Sequence, residues 1–279
     1  MESILCAVLS FLLQCGSASP APAILPTPTV QVAPIVPVAP SSTPVPAAPV
    51  ASATPTSAPP TPTPAPRAIA LPSPAGLGEL SFGPNSAKAK RLVSLTFDAG
   101  SGNTYSPAIL YQLKALGVKT TIFVTGAWAD ANPELMKRIV ADGHELGNHS
   151  YTHTDFTTIS DAAMISEMQR TEETALRITG KSTKPWFRPP SGARDARVNR
   201  VIGEAGYYNV YWALDSTDWR KDTTGPQVLN RVLGQTTPGA IIVSHLTSRQ
   251  SAETLTQQIE GLRQRGFTLV TLSELFSEP

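Results

Sequence analysis

Polar side chains that can carry out acid–base or metal chemistry stand directly after five apolar segments of the sequence. Carboxylates and imidazoles are the usual proton carriers of enzymes, and neutral imidazole is also a common metal ligand. Three of the four histidines of the chain belong to this set. A single cluster means little, but five of them at the ends of five apolar segments indicate an active site. In chain order they are Asp98, His149 with His153, Arg188, Asp215 with Asp218, and His245.

The two histidines four residues apart are the metal signal. In the segment His149-Ser150-Tyr151-Thr152-His153, this spacing would place both imidazoles on one side of a helical turn, where they can chelate one divalent ion. Such a pair also occurs as two surface or hydrogen-bonded histidines. The spacing predicts a metal site and leaves the simpler arrangement open.

His245 and Arg188 each allow two interpretations. His245 ends a strand that is otherwise apolar, where an imidazole without a partner is costly. It is either a core histidine hydrogen-bonded to a carboxylate or a general acid whose pKa is set by Asp218. Arg188 forms either a structural ion pair or a contact that orients a catalytic carboxylate, for which Asp98 is the candidate.

The elements that must position these residues alternate between strand and helix from Arg91 onward. This alternation predicts a parallel sheet with right-handed crossovers, and both an open doubly wound sheet and a closed barrel fit it. Active sites of barrels lie at the carboxyl ends of the strands, where all five clusters are found. The predicted strands are 92–97, 120–124, 145–148, 186–187, 207–214, 240–243 and 267–272, and the predicted helices are 107–116, 133–141, 160–179, 196–205, 226–233 and 252–265.

Five short motifs in this order resemble those of the polysaccharide deacetylases of the NodB-homology type, carbohydrate esterase family 4. The resemblance runs from about Arg91 to Phe276. It implies an α/β fold, a distorted (β/α)7 barrel, and hydrolysis of an acetyl group from a sugar. It also implies a divalent metal, zinc first, with cobalt and nickel as alternatives. The motifs are TFDAG at 96–100, HSYTH at 149–153, RPPSG at 188–192, DSTDW at 215–219 and VSH at 243–245.

Each motif of the family carries over to particular residues of this sequence. The chemistry that the resemblance implies needs a metal that polarises the acetyl carbonyl, a base, an oxyanion donor and an acid. The corresponding residues are Asp98 as base, Arg188 as its holder, His149 and His153 as metal ligands, the backbone N–H of Ser191 as oxyanion donor, Asp218 as partner of the acid His245, and Trp219 with Val243 as walls of the acetyl pocket.

Ala99 departs from the family pattern, which places a third metal ligand, an aspartate, at this position. Three consequences stay open. The two histidines and water can hold zinc more weakly, Asp98 can itself move onto the metal, or the domain can be a pseudoenzyme that binds glycan without hydrolysing it. The presence of Asp98, Arg188, Asp218 and His245 together favours an active enzyme, because a binding module has no use for an acid–base pair.

Residues upstream of the predicted domain differ sharply in composition. Residues 1–18 contain an apolar run too short for a membrane span, followed by small residues, which predicts a signal peptide. Residues 19–85 hold 19 of the 27 prolines and predict a disordered, extended linker. The catalytic domain is predicted over 86–279. Both cysteines, Cys6 and Cys15, fall in the leader, so disulfides and thiolate chemistry are excluded from the processed chain.

Charge and domain order narrow the partners. With 22 basic and 21 acidic residues the net charge is +1, and no basic stripe indicates nucleic-acid binding. We expect a monomer without a transmembrane helix, secreted or attached to the cell surface or cell wall. The expected partner is a polysaccharide, with peptidoglycan N-acetylglucosamine first and chitin oligomers or acetylxylan as alternatives. A glycan-binding wall module and a purely structural surface protein are the competing classes.

Overall fold

Residues 72–277 are those that the computed structural model describes. The predicted signal peptide and the predicted linker up to residue 71 lie outside this range. None of the helices inside it is long and apolar enough to cross a membrane.

Parallel strands within residues 72–277 form a curled half-barrel, which confirms the predicted α/β class. The strand order is β5-β4-β3-β2-β1-β7-β6, and β8 pairs with β1 outside this path. Each ladder between neighbours is parallel, as crossover connections require. The strands are β1 Leu92–Ala99, β2 Thr121–Val124, β3 Glu145–Asn148, β4 Trp186–Phe187, β5 Tyr208–Asn209, β6 Leu214–Asp215, β7 Ile241–His245 and β8 Thr268–Leu269.

Helices follow most of the strands, and several of them begin at a residue whose side chain accepts from one of the first N–H groups. The Ser160 hydroxyl accepts from Ala163 N at the start of the longest helix, which ends at Gly180 in a left-handed conformation. The helices are α1 Asn85–Ala89, α2 Ser106–Ala115, α3 Gly126–Ala131, α4 Pro133–Ala141, α5 Asp161–Thr179, α6 Ala196–Glu204, α7 Gly225–Gln235, α8 Arg249–Gln264 and α9 Leu272–Leu275, with 3₁₀ turns at Phe156–Thr158 and Pro190–Gly192.

The central strand β1 has one apolar face and one polar face. Side chains alternate along a strand, so every second residue shares a face. Val93, Leu95, Phe97 and Ala99 belong to the main apolar cluster, which also contains buried residues of α2 and α8. The other face carries Ser94, Thr96 and Asp98, all buried. This second face forms the polar interior that leads to the site.

Residues 77–83, here called the N-terminal strap, pair with the sheet. Leu80 forms a bridge with Val210 beyond β5, and Phe82 forms one with Ala240 before β7. Leu77 and Leu80 also pack against an apolar cluster of the sheet. The packed structure therefore begins upstream of residue 86, the boundary expected from composition, because these apolar side chains join the core.

Two predicted strands are shorter than expected. The predicted strand 207–214 is two short strands, β5 and β6, because the chain leaves the ladder between them and Tyr211 stacks on Trp212 with ring centroids 3.9 Å apart. The predicted strand 267–272 is the two-residue β8 followed by α9. That helix begins with Thr271 and Glu274 in a capping box.

Candidate active site

A cleft of about 550 Å³ lies at the carboxyl ends of the strands. Seven of the nine residues predicted for the site line this cleft, and the remaining two, Arg188 and Asp218, are buried behind it. The lining also includes residues that the motifs did not point to. The cleft is lined by Asp98, Gly100, Ser101, His149, His153, Ser191, Gly192, Trp212, Asp215, Trp219, Val243, His245 and Thr247.

Asp98 and Arg188 form a buried ion pair at the end of β1. Asp98 Oδ1 accepts from Arg188 Nη1 at 2.7 Å, and the arginine is fully buried. Burial acts to raise the pKa of Asp98, but the charge and hydrogen bond of Arg188 together with the charges of His149 and His245 hold that pKa below its ordinary value. Asp98 is therefore a carboxylate at neutral pH, in the state that can accept a proton.

The guanidinium of Arg188 is fixed on several sides. Its Nη2 donates to the Thr96 hydroxyl at 2.9 Å, and its plane lies 4.1 Å from the centroid of the Phe123 ring. A buried charge is tolerated when it is paired and hydrogen-bonded in this way. Arg188 thus holds the carboxylate of Asp98 in one position.

Asp218 and His245 form the second buried pair. His245 Nδ1 donates to Asp218 Oδ1 at 2.7 Å, and the His245 backbone N–H donates to Asp218 Oδ2 at 2.9 Å. Oδ2 also accepts from the Ser251 hydroxyl of α8. Burial acts to lower the pKa of His245, but the hydrogen bond and charge of Asp218 raise it above its ordinary value. The pair therefore favours a protonated imidazole.

The base candidate and the acid candidate stand side by side. Asp98 on β1 and His245 on β7 are direct register partners in the parallel ladder. Neighbouring strands lie about 4.8 Å apart, so the two side chains enter the cleft next to each other. The Leu246 N–H donates to Asp98 O at 2.9 Å and keeps this register beyond the end of β7.

His149 and His153 come together, but the predicted helical turn between them is wrong. Residues 149–153 form a non-helical loop in which Ser150 and His153 have positive φ angles of 64° and 62°. The two imidazole rings meet edge to face, with centroids 4.9 Å apart. The loop bends through left-handed residues because its N–H groups are bound by side-chain acceptors, which a spacing pattern does not reveal.

The donor atoms of the two histidines fit a divalent metal in part. His149 Nδ1 donates to the Arg188 carbonyl oxygen at 2.8 Å, which leaves Nε2 as the unprotonated nitrogen, 3.6 Å from Asp98 Oδ2. Burial lowers the pKa of His149 to about 4, so its imidazole is neutral, as a metal ligand must be. Ala99 belongs to the apolar cluster and does not line the cleft. Among residues 72–277 no group of three His, Cys, Asp or Glu could hold a metal ion.

Ser191, Trp219 and Val243 lie around the same cleft. Ser191 has a positive φ of 55° in the turn after β4. Its neighbour Gly192 also has a positive φ, and a Cβ there would come within 2.6 Å of the Trp212 ring. Val243 is buried, whereas Trp219 is 58% exposed. The turn that carries Ser191 therefore requires glycine at 192, because it packs directly against the Trp212 ring.

Trp212 and Ser251 are contacts of the site that the sequence did not reveal. Trp212 fell inside a predicted strand, so its position on the cleft could not be inferred. Ser251 precedes the predicted helix 252–265, and no sequence signal links it to Asp218. The Asp215 carboxylate, expected only as part of a cluster, accepts from the Trp219 indole Nε1 at 3.1 Å and so holds that ring.

Comparisons with known proteins identify the family. The family model described as polysaccharide deacetylase matches residues 85–210. The peptidoglycan-N-acetylmuramic acid deacetylase PdaA of Bacillus subtilis is 35% identical over 191 residues, which is 68% of this chain and 73% of that protein. Its solved structure, a family 4 carbohydrate esterase, aligns with a TM-score of 0.66 at 33% identity and covers 71% of this chain and 84% of that one.

Two further relatives point to the same family. The peptidoglycan-N-acetylglucosamine deacetylase of Bacillus cereus is 34% identical over 67% of this chain and 69% of that protein. A family 4 pseudoenzyme from Bacillus anthracis is 33% identical with a TM-score of 0.64, covering 67% of this chain and 66% of that one. A mutant of that pseudoenzyme with restored enzymatic activity aligns at 34% identity, also with a TM-score of 0.64, covering 67% of this chain and 68% of that one.

The half-barrel carries two buried charged pairs, Asp98 with Arg188 and Asp218 with His245, at the carboxyl ends of its strands. The chain belongs to the polysaccharide deacetylase family, carbohydrate esterase family 4. The predicted family and enzyme class are confirmed. Deacetylases of this family are generally metal-dependent.

Proposed function

We propose that this chain removes acetyl groups from the N-acetylated amino sugars of peptidoglycan, with Asp98 as general base and His245 as general acid. The observation that carries the proposal is the register of β1 and β7. It brings a carboxylate whose pKa is lowered and an imidazole whose pKa is raised to neighbouring positions on one cleft. Amide hydrolysis needs both states at once.

Asp98 takes up the proton of the attacking water. As the oxygen of that water bonds to the acetyl carbon, one of its protons passes to the Asp98 carboxylate. Arg188 keeps this carboxylate ionised and fixed beforehand, so that no rearrangement is needed when the proton arrives.

His245 supplies the proton that the leaving nitrogen needs. When the carbon–nitrogen bond breaks, the amine departs with the proton of the imidazole, and the acetyl group leaves as acetic acid, which ionises to acetate in solution. Asp218 accepts from Nδ1 and thereby leaves Nε2 for the substrate. One proton enters the protein at Asp98 and one leaves it from His245, so the hydrolysis balances, and proton exchange with solvent returns both side chains to their starting states.

The remaining cleft residues hold the acetyl group. The backbone N–H of Ser191 serves as donor to the developing oxyanion, and Trp219 with Val243 encloses the methyl group. Small apolar walls suit an acetyl methyl and resist longer acyl chains.

His149 and His153 would hold the divalent metal, with zinc first and cobalt or nickel as alternatives. When bound there, the metal would polarise the acetyl carbonyl as a Lewis acid. Since Ala99 offers no third protein ligand, we expect weaker metal binding than a site with an additional carboxylate would give.

Peptidoglycan is preferred as the substrate for two reasons. Two of the relatives are named for peptidoglycan sugars, N-acetylmuramic acid in one and N-acetylglucosamine in the other. The predicted leader over 1–18 and the Pro-rich sequence between it and the N-terminal strap suit a domain that is secreted and held at a cell wall. Chitin oligomers and acetylxylan remain alternative substrates of the same chemistry, and a monomer without nucleic-acid partners is expected.

A glycan-binding pseudoenzyme is the second candidate function. It is favoured by Ala99 and by the resemblance to the Bacillus anthracis pseudoenzyme. It is disfavoured by the two complete acid–base pairs, which binding alone does not need.

An acetate-release assay on the full chain separates these candidates. The substrates are peptidoglycan, N-acetylglucosamine oligomers and acetylxylan, each with added zinc, cobalt or nickel. We expect acetate from the amino-sugar substrates, and its loss in His149→Ala. Equal release from both proteins, or glycan retention without any acetate, would reject the proposal.

A further inference from the structure

The loop that carries the two histidines is held in a conformation that its own residues do not favour. Ser150 and His153 both have positive φ angles, and each such non-glycine residue costs about 1 kcal/mol or more. The loop is not helical, so regular hydrogen bonds do not fix it. Side-chain contacts, from within the loop and from other elements, must therefore fix the distance between the imidazoles of His149 and His153.

Glu167 of α5 supplies the charged contact. Its Oε2 accepts from the backbone N–H of Tyr151 at 2.9 Å and of Thr152 at 2.7 Å, and from the Thr152 hydroxyl at 3.0 Å. The residue is only 9% exposed. Hydrogen bonds to a buried carboxylate are stronger than bonds between neutral groups.

Neutral side chains bind the other two N–H groups of the loop. Asn148 Oδ1 accepts from Ser150 N, and Ser150 Oγ accepts from His153 N, both at 3.0 Å. Four consecutive N–H groups are thus bound by side chains, and Glu167 is the charged acceptor among these.

The carbonyl side of the loop rests on α3. Gly126 N donates to Ser150 O at 3.0 Å, and Ala127 N donates to Tyr151 O at 3.1 Å. Gly126 lies against the Tyr151 ring so closely that a Cβ would overlap it. The loop is therefore clamped between the start of α3 and the carboxylate of α5.

We propose that Glu167 is a positioning residue that sets the spacing of the His149 and His153 imidazoles. The carboxylate does not touch the imidazoles or the acetyl group; it acts through the two backbone N–H groups that lie between the histidines. The consequence for metal binding rests on the proposed function. Because Ala99 removes a ligand, the affinity of the site depends strongly on how well the two remaining imidazoles are placed.

Two variants and one matched control test this role. Glu167→Gln keeps an acceptor oxygen without the charge, and Glu167→Ala removes both. The control is Glu274→Ala in α9, since Glu274 Oε2 likewise accepts from the N–H and hydroxyl of a threonine, Thr271, at 2.9 and 3.2 Å. The control thus removes a carboxylate that makes similar hydrogen bonds, at a position more than 100 residues after the histidines in the sequence.

The first measurement is cobalt titration of each full-length protein, followed by visible absorption. We expect Glu167→Ala to weaken cobalt binding about tenfold or more, in line with the loss of a group that orients ligands. The cobalt affinity of Glu167→Gln should fall by less than about fivefold, because a neutral hydrogen bond retains part of the interaction. Glu274→Ala should bind cobalt like the wild type although its melting temperature falls.

The second measurement needs no metal. In the metal-free protein, a nuclear Overhauser effect between the His149 and His153 rings should be present in the wild type, Glu167→Gln and Glu274→Ala, and lost in Glu167→Ala. If wild type binds no cobalt, the proposed function fails, and the ring contact alone decides the role of Glu167. If folded Glu167→Ala keeps the ring contact, or binds cobalt as tightly as wild type, the positioning role is overturned.

Discussion

The two sides of the cleft differ in whether their functional side chains have charged partners. On one side, Asp98 and His245 each have a buried charged partner, Arg188 and Asp218, whose side chains are fully enclosed. On the other side, His149 and His153 line the cleft without a third ligand from position 99, where the family pattern places an aspartate and this chain has a buried alanine. In the proposed mechanism, both proton-transfer residues therefore have a charged partner that holds them, whereas the metal has only two protein ligands. The predictions below separate the two sides.

The largest effect should come from Asp98→Asn. The variant keeps the size of the side chain but cannot accept a proton, and we expect kcat to fall by about 10²–10⁴. Zinc binding should remain, because neither histidine is changed. The measurement is acetate release beside zinc titration.

The matched control for this variant is Asp222→Asn. Asp222 is exposed and paired with Arg220 outside the cleft, so kcat should stay unchanged. A loss of less than tenfold in Asp98→Asn would contradict its role as base.

Asp218→Asn should reduce kcat by about 10², because His245 loses its orienting partner. The pH profile should change as well. Activity that needs protonated His245 is present below the pKa of His245 and is lost as pH rises through it. Asp218 raises this pKa, so the variant should lose activity at lower pH than the wild type on the alkaline side. If activity fell at the same alkaline pH in both proteins, the proposed effect of Asp218 on His245 would be contradicted.

Ala99→Asp tests the other side of the cleft. An added carboxylate should tighten zinc binding about tenfold or more. The same change places a charge in the apolar cluster, so the metal-free variant should melt at a lower temperature and recover when zinc is added. Ala99→Asn introduces a side chain of the same size as aspartate but without its charge, and should increase zinc affinity less than Ala99→Asp does. Unchanged zinc affinity in folded Ala99→Asp would show that the missing ligand is not the limiting feature.

The smallest effect concerns two histidines at opposite ends of β3. His144 precedes the strand and His149 follows it, and burial lowers the pKa of each to about 4. Both imidazoles are neutral in the folded protein near neutral pH, whereas in the unfolded chain they take up a proton below about pH 6.5. The free energy of unfolding is therefore highest above pH 6.5 and falls as the pH is lowered towards 4. For His144 this loss amounts to at most about 3 kcal/mol, at 1.36 kcal/mol per pH unit.

His144→Asn isolates that contribution. His144 Nδ1 accepts from the Thr120 N–H at 3.3 Å, and asparagine offers an oxygen at the same place without titrating. Urea unfolding of the metal-free proteins from pH 7 to pH 4 should show a shallower loss of stability in the variant. If the free energy of unfolding had the same pH dependence in both proteins, His144 would not contribute to it.

The sequence predicted most of the elements because their signals are local. Helix α4 begins at Pro133 and strand β3 covers Glu145–Asn148, as the periodic pattern and glycine positions indicated. Short strands interrupted by Tyr211 and Trp212 were not predictable, since the aromatic residues that suggest a strand serve instead as a cleft wall.

The site was predictable in composition but not in geometry. Motif order identified the residues, and seven of the nine line one cleft. The bend between His149 and His153 depends on Glu167, which lies on a later helix, and the support of Asp218 depends on Ser251. Such contacts join distant parts of the chain through side chains, and no local pattern encodes them.

Zinc titration of the full-length chain by calorimetry tests the central claim most directly. The claim is that two imidazoles beside Asp98 hold a divalent metal although alanine occupies the third ligand position. We predict one zinc per chain in the wild type and none in a folded His149→Ala variant. A well-folded wild-type chain that takes up no zinc in excess would contradict the account and leave glycan binding as the function of the cleft.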